Sequence, residues 1–284
     1  MSFEAAEHAA DLTEAVRDQS FGGHARPILA VEGVTLQYKT PAHLVTATYK
    51  VSFEVDRGDR YVILGPSGCG KSTLLKAVGG FMRPVEGRIS LDGREVKDAG
   101  PDRMIVFQDF EQLMPWKTVL QNVLFPMKAS GRFKGAEAQK RAHAVIDRVR
   151  LTKFMNVHPH MLSGGMKMRV AIARAMAMEP DILLMDEPFA ALDALTRRQM
   201  QEELLDLWDQ LKFTVLFVTH SIEEAILIGS RILVLSPHPG RVRAELDAVD
   251  HSFDNIDDPA FGALAKRIHG LLFDSPMASP AAAT

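Results

Sequence analysis

Gly65-Pro66-Ser67-Gly68-Cys69-Gly70-Lys71-Ser72 stands directly after the apolar run Tyr61-Val62-Ile63-Leu64 and directly before Thr73-Leu74-Leu75-Lys76-Ala77-Val78. The octapeptide fits G-x-x-x-x-G-K-[ST], and a short buried strand leading into a helical run is the setting in which that pattern binds phosphate. Glycines let a backbone close on an anion and turn its N–H groups inward. The helix start adds the positive end of its dipole, Lys71 offers a cation to the β and γ oxygens, and Ser72 offers a hydroxyl to Mg2+. Thr73 completes the turn expected to meet the nucleotide.

Further apolar runs of strand length lie at Met104–Phe107, Ile182–Met185, Val215–Thr219 and Ile232–Leu235, separated by helix-like segments. Residues 28–64 alternate β-branched and polar positions before reaching the first run. The alternation predicts an α/β fold with parallel central strands. The stretch from about 112 to 165 lacks strand runs, and Ala138, Ala142, Val145, Ile146 and Val149 share one helical face, so a helical subdomain inserted into the sheet domain is expected there. Met200, Leu204, Trp208 and Leu211 form a helical stripe that reads as core. Residues 1–26 are acidic and alanine-rich and are expected to form a flexible extension; residues 246–284 hold one amphipathic segment (Phe261, Leu264, Ala265, Ile268, Leu271) before a Pro/Ala/Ser tail, expected to be disordered.

The whole chain is 284 residues, with 33 Lys+Arg against 36 Asp+Glu, a balance that speaks against a nucleic-acid polycation. Its single cysteine, Cys69, cannot form an internal disulfide, which favours a reducing compartment. No apolar run reaches the roughly 18 residues of a membrane span. Glu4, Glu7 and Asp11 stand where an export signal would need a basic start, so none is expected.

Two further segments carry chemistry. Ile182-Leu-Leu-Met185 leads into Asp186-Glu187, which places two carboxylates at a strand end: Asp186 to hold Mg2+, Glu187 to orient or deprotonate an attacking water. Leu162-Ser163-Gly164-Gly165-Met166 precedes a helix running to Pro180, and a serine hydroxyl with glycine amides at a helix start makes a second anion site.

With these motifs in this order, residues 28 to 245 resemble the nucleotide-binding subunit of an ATP-binding cassette (ABC) transporter. The resemblance implies a P-loop cassette with a mostly parallel core sheet, an antiparallel β subdomain and the helical insertion, occupying residues 27–245. It implies ATP and Mg2+ as ligands, and a head-to-tail dimer in which Ser163, Gly164 and Gly165 of one copy close the ATP held by residues 65–73 of the other. Within the pattern, Tyr38 matches the aromatic that stacks on adenine, and Gln108 the glutamine that reaches Mg2+ and nucleophile. Asp193, in Ala190-Ala191-Leu192-Asp193, matches the loop facing the opposite subunit, and His220 the histidine that senses the γ-phosphate. The expected partners are two transmembrane permease subunits and, through them, an external solute-binding protein. The expected place is the cytoplasmic face of the membrane.

Leu113-Met-Pro-Trp116-Lys-Thr-Val, Asp186 to Arg197 and Pro239-Gly-Arg-Val are similar to the nitrate, sulfonate and taurine importers, with Trp116 expected beside the groove that receives the permease. Met168 and Ser221 depart from the glutamine and aspartate usual there. A cassette ATPase acting on DNA or ribosomes is the alternative. Against it, only 54 residues separate Gln108 from Ser163, without heptads, and there is one cassette per chain. A small-molecule kinase would have no use for Leu162–Met166 or His220. Cys69, inside the phosphate loop, is expected to be a site where alkylation obstructs ATP and ATP protects.

Overall fold

The computed structural model describes residues 26–39, 44–249 and 253–273. The N-terminal extension, apart from Arg26, and the tail beyond 273 lie outside the described residues. Among the described residues ten strands form two sheets. The first, four-stranded and antiparallel, has the order β2 (Leu44–Val55), β1 (Leu29–Lys39), β4 (Glu86–Leu91), β5 (Arg94–Glu95). The second has the order β10 (Val242–Asp247), β9 (Arg231–Leu235), β3 (Arg60–Leu64), β8 (Val215–Thr219), β7 (Ile182–Asp186), β6 (Arg103–Val106). Its inner pairs are parallel and only β10 runs antiparallel.

The continuous apolar runs are explained by burial on both faces, as parallel strands require. Along β3, Val62 and Leu64 enter one core and Tyr61 and Ile63 another; on β7, Leu183 and Met185 oppose Ile182 and Leu184 in the same way. One core joins the parallel sheet to the antiparallel sheet and to α1 (Lys71–Val78). The other joins it to α2 (Val119–Ser130), α3 (Gly135–Arg148), α4 (Gly164–Met176), α5 (Ala194–Leu211), α6 (Ile222–Ile228) and α7 (Pro259–Phe273). Each fully buried Leu, Ile or Val adds about 1.5–3 kcal/mol.

Between β6 and β7 there is no strand among the described residues, only α2, α3, short 3-10 turns and α4. Here Asn122, fully buried, accepts from Met114 N at 2.9 Å and donates to the Met114, Lys117 and Thr118 carbonyls, fastening the 114–118 loop to α2. Among the described residues no helix is long and apolar enough to cross a membrane.

Candidate functional site

In the parallel sheet β3 is flanked by β8 and β9, and β7 lies beyond β8, so the chain leaves β3, β7 and β8 at one edge of the sheet. The carboxyl ends of such strands are where α/β sheets bind ligands. Out of β3 comes the loop 65–70, with Gly68 at φ 78° and Gly70 at φ 99°. A Cβ on Gly70 would lie 2.6 Å from the Ala47 carbonyl oxygen, so this residue must be glycine for space as well as for backbone angle. A Cβ on Gly68 would meet nothing within 4 Å, which leaves open space over the loop. Gly70 caps α1 without any side chain, so the first amides of that helix have no side-chain acceptor.

Inside this turn Lys71 is 4% exposed. Its Nζ donates to the carbonyls of Gly65 (2.9 Å) and Pro66 (3.1 Å) and stands 3.6 Å from Glu187 Oε1. The Ser72 hydroxyl donates to Asp186 Oδ1 at 2.7 Å. Burial pushes the Asp186 carboxyl above its ordinary range, as does Glu187 beside it, against the lowering effect of the Ser72 bond and the Lys76 and Lys71 charges. A hydroxyl and a desolvated carboxylate side by side are hard oxygen donors, the set Mg2+ takes.

Glu187 follows with φ 45°, a left-handed conformation for a non-glycine residue, held by its N–H on the Val218 carbonyl at 3.0 Å. Its other oxygen, Oε2, lies 2.7 Å from His220 Nδ1. With Glu187 ionised the carboxylate can only accept, so Nδ1 carries the proton. Thus Lys71, Ser72, Asp186, Glu187 and His220, from three strand ends, form one constellation.

Among the described residues no hydrogen bond or ion pair joins the remaining expected residues to it. Gln108 is exposed two residues beyond β6, and its side chain bonds to none of the described residues. Gln112, which the sequence reading missed, organises that loop. It donates to the Phe107 and Asp109 carbonyls at 2.7 and 3.0 Å, accepts from Phe107 N at 3.2 Å, and is held by Arg174 of α4, which donates to its carbonyl at 2.7 Å and to Oε1 at 3.1 Å. Desolvation lowers the Arg174 pKa. Tyr38 is half-exposed near the end of β1, paired with Val45, two residues before the Ala47 that roofs Gly70.

Ser163 caps α4 and accepts from Met166 N at 3.3 Å; it is exposed, Gly164 is partly so, and Gly165 is buried against Thr196 of α5. Asp193 caps α5 by accepting from Thr196 N at 3.0 Å, and those helix-start bonds hold its carboxyl below the ordinary range. Arg197, also unforeseen, donates to the Phe189 and Leu192 carbonyls at 3.2 and 3.0 Å and so shapes the 189–193 loop.

One expectation changes, and the two departures from the family pattern find their place. Cys69 is fully buried, and burial raises its thiol pKa, so a thiol reagent has no approach to it in the folded chain; the expected alkylation with ATP protection does not fit this geometry. Met168 is likewise fully buried, so its position contributes packing and not a surface polar contact. Ser221 caps α6, accepting from Glu224 N at 3.2 Å, and serine and aspartate are interchangeable in that task.

A family model described as ABC transporter matches residues 48–190. The chain is 49% identical to the taurine import ATP-binding protein TauB of Rhizobium johnstonii over 80% of its own length and 89% of that protein. It is 39% identical to the nitrate import ATP-binding protein NrtD of Synechococcus elongatus, with 80% and 85% covered. Its fold is similar to the dimeric ATP-binding cassette MJ0796 in a post-hydrolysis state bound to ADP and Pi, at TM-score 0.66 and 34% identity, covering 78% of this chain and 98% of that one.

Proposed function

The chain belongs to the ABC transporter family, an ATP-binding and ATP-hydrolysing cassette, and we propose that it drives import of a small anion of the taurine, nitrate or bicarbonate kind. In this reading residues 27–245 are the ATPase domain, about 112–165 its helical arm, and 1–26 and 246–284 short extensions. The observation that carries the hydrolytic assignment is the Glu187 carboxylate, set between Lys71 at 3.6 Å and His220 at 2.7 Å, beside the Ser72–Asp186 pair.

Residues 65–73 cradle the triphosphate with backbone amides, and Lys71 turns from its own carbonyls to the β and γ oxygens. Ser72, Asp186 and Gln108 hold Mg2+, which when bound neutralises charge on the transferring phosphoryl group. Glu187 orients the attacking water and accepts its proton. His220 keeps the carboxylate in place through Nδ1, and as the doubly protonated imidazolium it would also donate from Nε2 to the γ-phosphate. Tyr38 stacks on adenine. Ser163, Gly164, Gly165 and Asp193 serve the ATP of a second copy. The exposed Trp116, with 71% of its surface free, borders the permease groove. Two permease subunits hold the pair at the cytoplasmic face of the membrane, where an external binding protein selects the solute; nucleic acid has no part.

Replacing Glu187 by Gln tests the core of this reading. Hydrolysis should fall about 100-fold or more, while ATP still binds and an ATP-bound dimer accumulates in gel filtration. Normal turnover in that variant would overturn the assignment.

A further inference from the structure

Behind His220 lies a buried polar cluster that the phosphate chemistry above does not use. Glu224, on α6, is 7% exposed. Each of its oxygens meets one donor: Gln201 Nε2, from α5, donates to Oε1 at 2.8 Å, and the Thr219 hydroxyl donates to Oε2. Thr219 Oγ1 also accepts from Ser221 N at 3.0 Å, and Ser221 Oγ accepts from Glu224 N at 3.2 Å. Both neighbours of His220 in the chain are therefore tied to Glu224. The imidazole alone leaves the cluster, half-exposed, to meet Glu187.

A buried carboxylate is an expensive way to fill space, since an apolar side chain of similar size packs without desolvating a charge. Burial pushes the Glu224 carboxyl upward, opposed by its bonds to Thr219 and Gln201 and by the charges facing it, Arg197 from α5 and His220 from its own turn. What an acceptor with two fixed oxygens supplies, and a methyl group does not, is direction: it sets the Thr219 rotamer and thereby the turn from which His220 projects. Gln201 fixes the second oxygen, so the carboxylate cannot rotate away.

We propose that Glu224 and Gln201 are positioning residues for hydrolysis, which act through Thr219 to hold the His220 imidazole against Glu187. The inference rests on the placement of His220 in the hydrolytic site, and its test separates the two.

In the full-length chain Glu224→Gln leaves shape unchanged but offers one oxygen and one N–H to two donors, so one contact is lost. We expect kcat to fall about tenfold, the loss that a small misplacement of a reacting group produces, with the KM for ATP within about twofold of the parent. Adding Gln201→Glu restores complementarity: the new amide keeps the Thr219 hydroxyl on its oxygen and donates its N–H to the new carboxylate. This double variant should recover most of the lost kcat. In a His220→Ala background Glu224→Gln should lower the residual rate no further. A parental kcat in Glu224→Gln, a loss that survives the swap, or a loss that adds in full to His220→Ala overturns the proposal. Should Glu224→Gln fail to fold, Thr219→Val removes the same tether and is read by the same kcat, KM and His220→Ala comparison. If His220→Ala itself hydrolyses ATP normally, it is the placement of His220 that fails.

Discussion

The phosphate loop and the Ser163 turn are both helix starts that offer amides to an anion, yet they are built in opposite ways. In the phosphate loop the Lys71 and Ser72 side chains already have partners in the same chain: two carbonyls and Glu187 for the ammonium, Asp186 for the hydroxyl. The loop is roofed by β2, and Lys71 is almost without solvent contact. At Ser163 the hydroxyl has only Met166 N to serve, at 3.3 Å, and the serine faces outward. A site whose charges are satisfied internally is ready before ligand arrives and must be opened by it. One whose cap is exposed gains its task only when something is brought to it, and in the proposed dimer that is the ATP of a second copy. In the proposed dimer the contrast predicts that binding and hydrolysis are separable in this chain.

Substitutions can break the contrast at either end. The largest effect is expected at Gly70. With φ at 99° and a Cβ only 2.6 Å from the Ala47 carbonyl oxygen, Gly70→Ala should cost about 2–3 kcal/mol of folding stability and reduce ATP affinity at least about 100-fold. Denaturant melts and titration with a fluorescent nucleotide would read both. Next is Ser163→Ala. Loss of the cap should cost about 1 kcal/mol, and steady-state hydrolysis should fall about tenfold while the affinity of the separate chain for ATP stays unchanged. Equal damage to affinity at both sites would erase the distinction.

The smallest effect is in pH. The Asp186 carboxyl is raised in the folded state, so the folded chain retains a proton that the unfolded chain releases. Its contribution to stability therefore declines as pH climbs from the ordinary aspartate value of 3.8 through the raised one, and is constant above it. Asp186→Asn should flatten that part of the pH–Tm curve, whereas Ser163→Ala should leave its shape alone. A parental slope in the Asp186 variant would show that the buried carboxylate is not the source.

Much of this was legible along the chain, for physical reasons. Tyr61–Leu64, Ile182–Met185 and Val215–Thr219 stand out because both faces of a central parallel strand are buried, and continuous apolarity records that. The phosphate loop and the acid pair are legible because their chemistry depends on neighbours in sequence. Strand order is not: nothing in those runs says that β3 enters between β8 and β9. Nor is the support of the site. Arg174 reaches Gln112 from 62 residues away, and Gln201 reaches Glu224 from 23, so each looks alone like an ordinary polar residue on a helix or turn. Glu187's left-handed backbone likewise follows from its tie to Val218 and not from any local preference.

The roof over the phosphate loop has a temporal consequence. Ala47 accepts from Gly240 N at 2.9 Å, and a Cβ on Gly240 would fall 2.2 Å from the Cys69 carbonyl oxygen, so the segment after β9 closes directly onto the loop. The loop ends at Ser72, but its flanking strands end at Thr219 and Leu235 and its cover arrives at Gly240. A ribosome that has reached only β7 has translated the phosphate loop but not the two strands that flank β3 or the segment that covers the loop. In the proposed reading ATP can thus stabilise the cassette only after the last parallel strand has entered the sheet and Gly240 has closed on the loop.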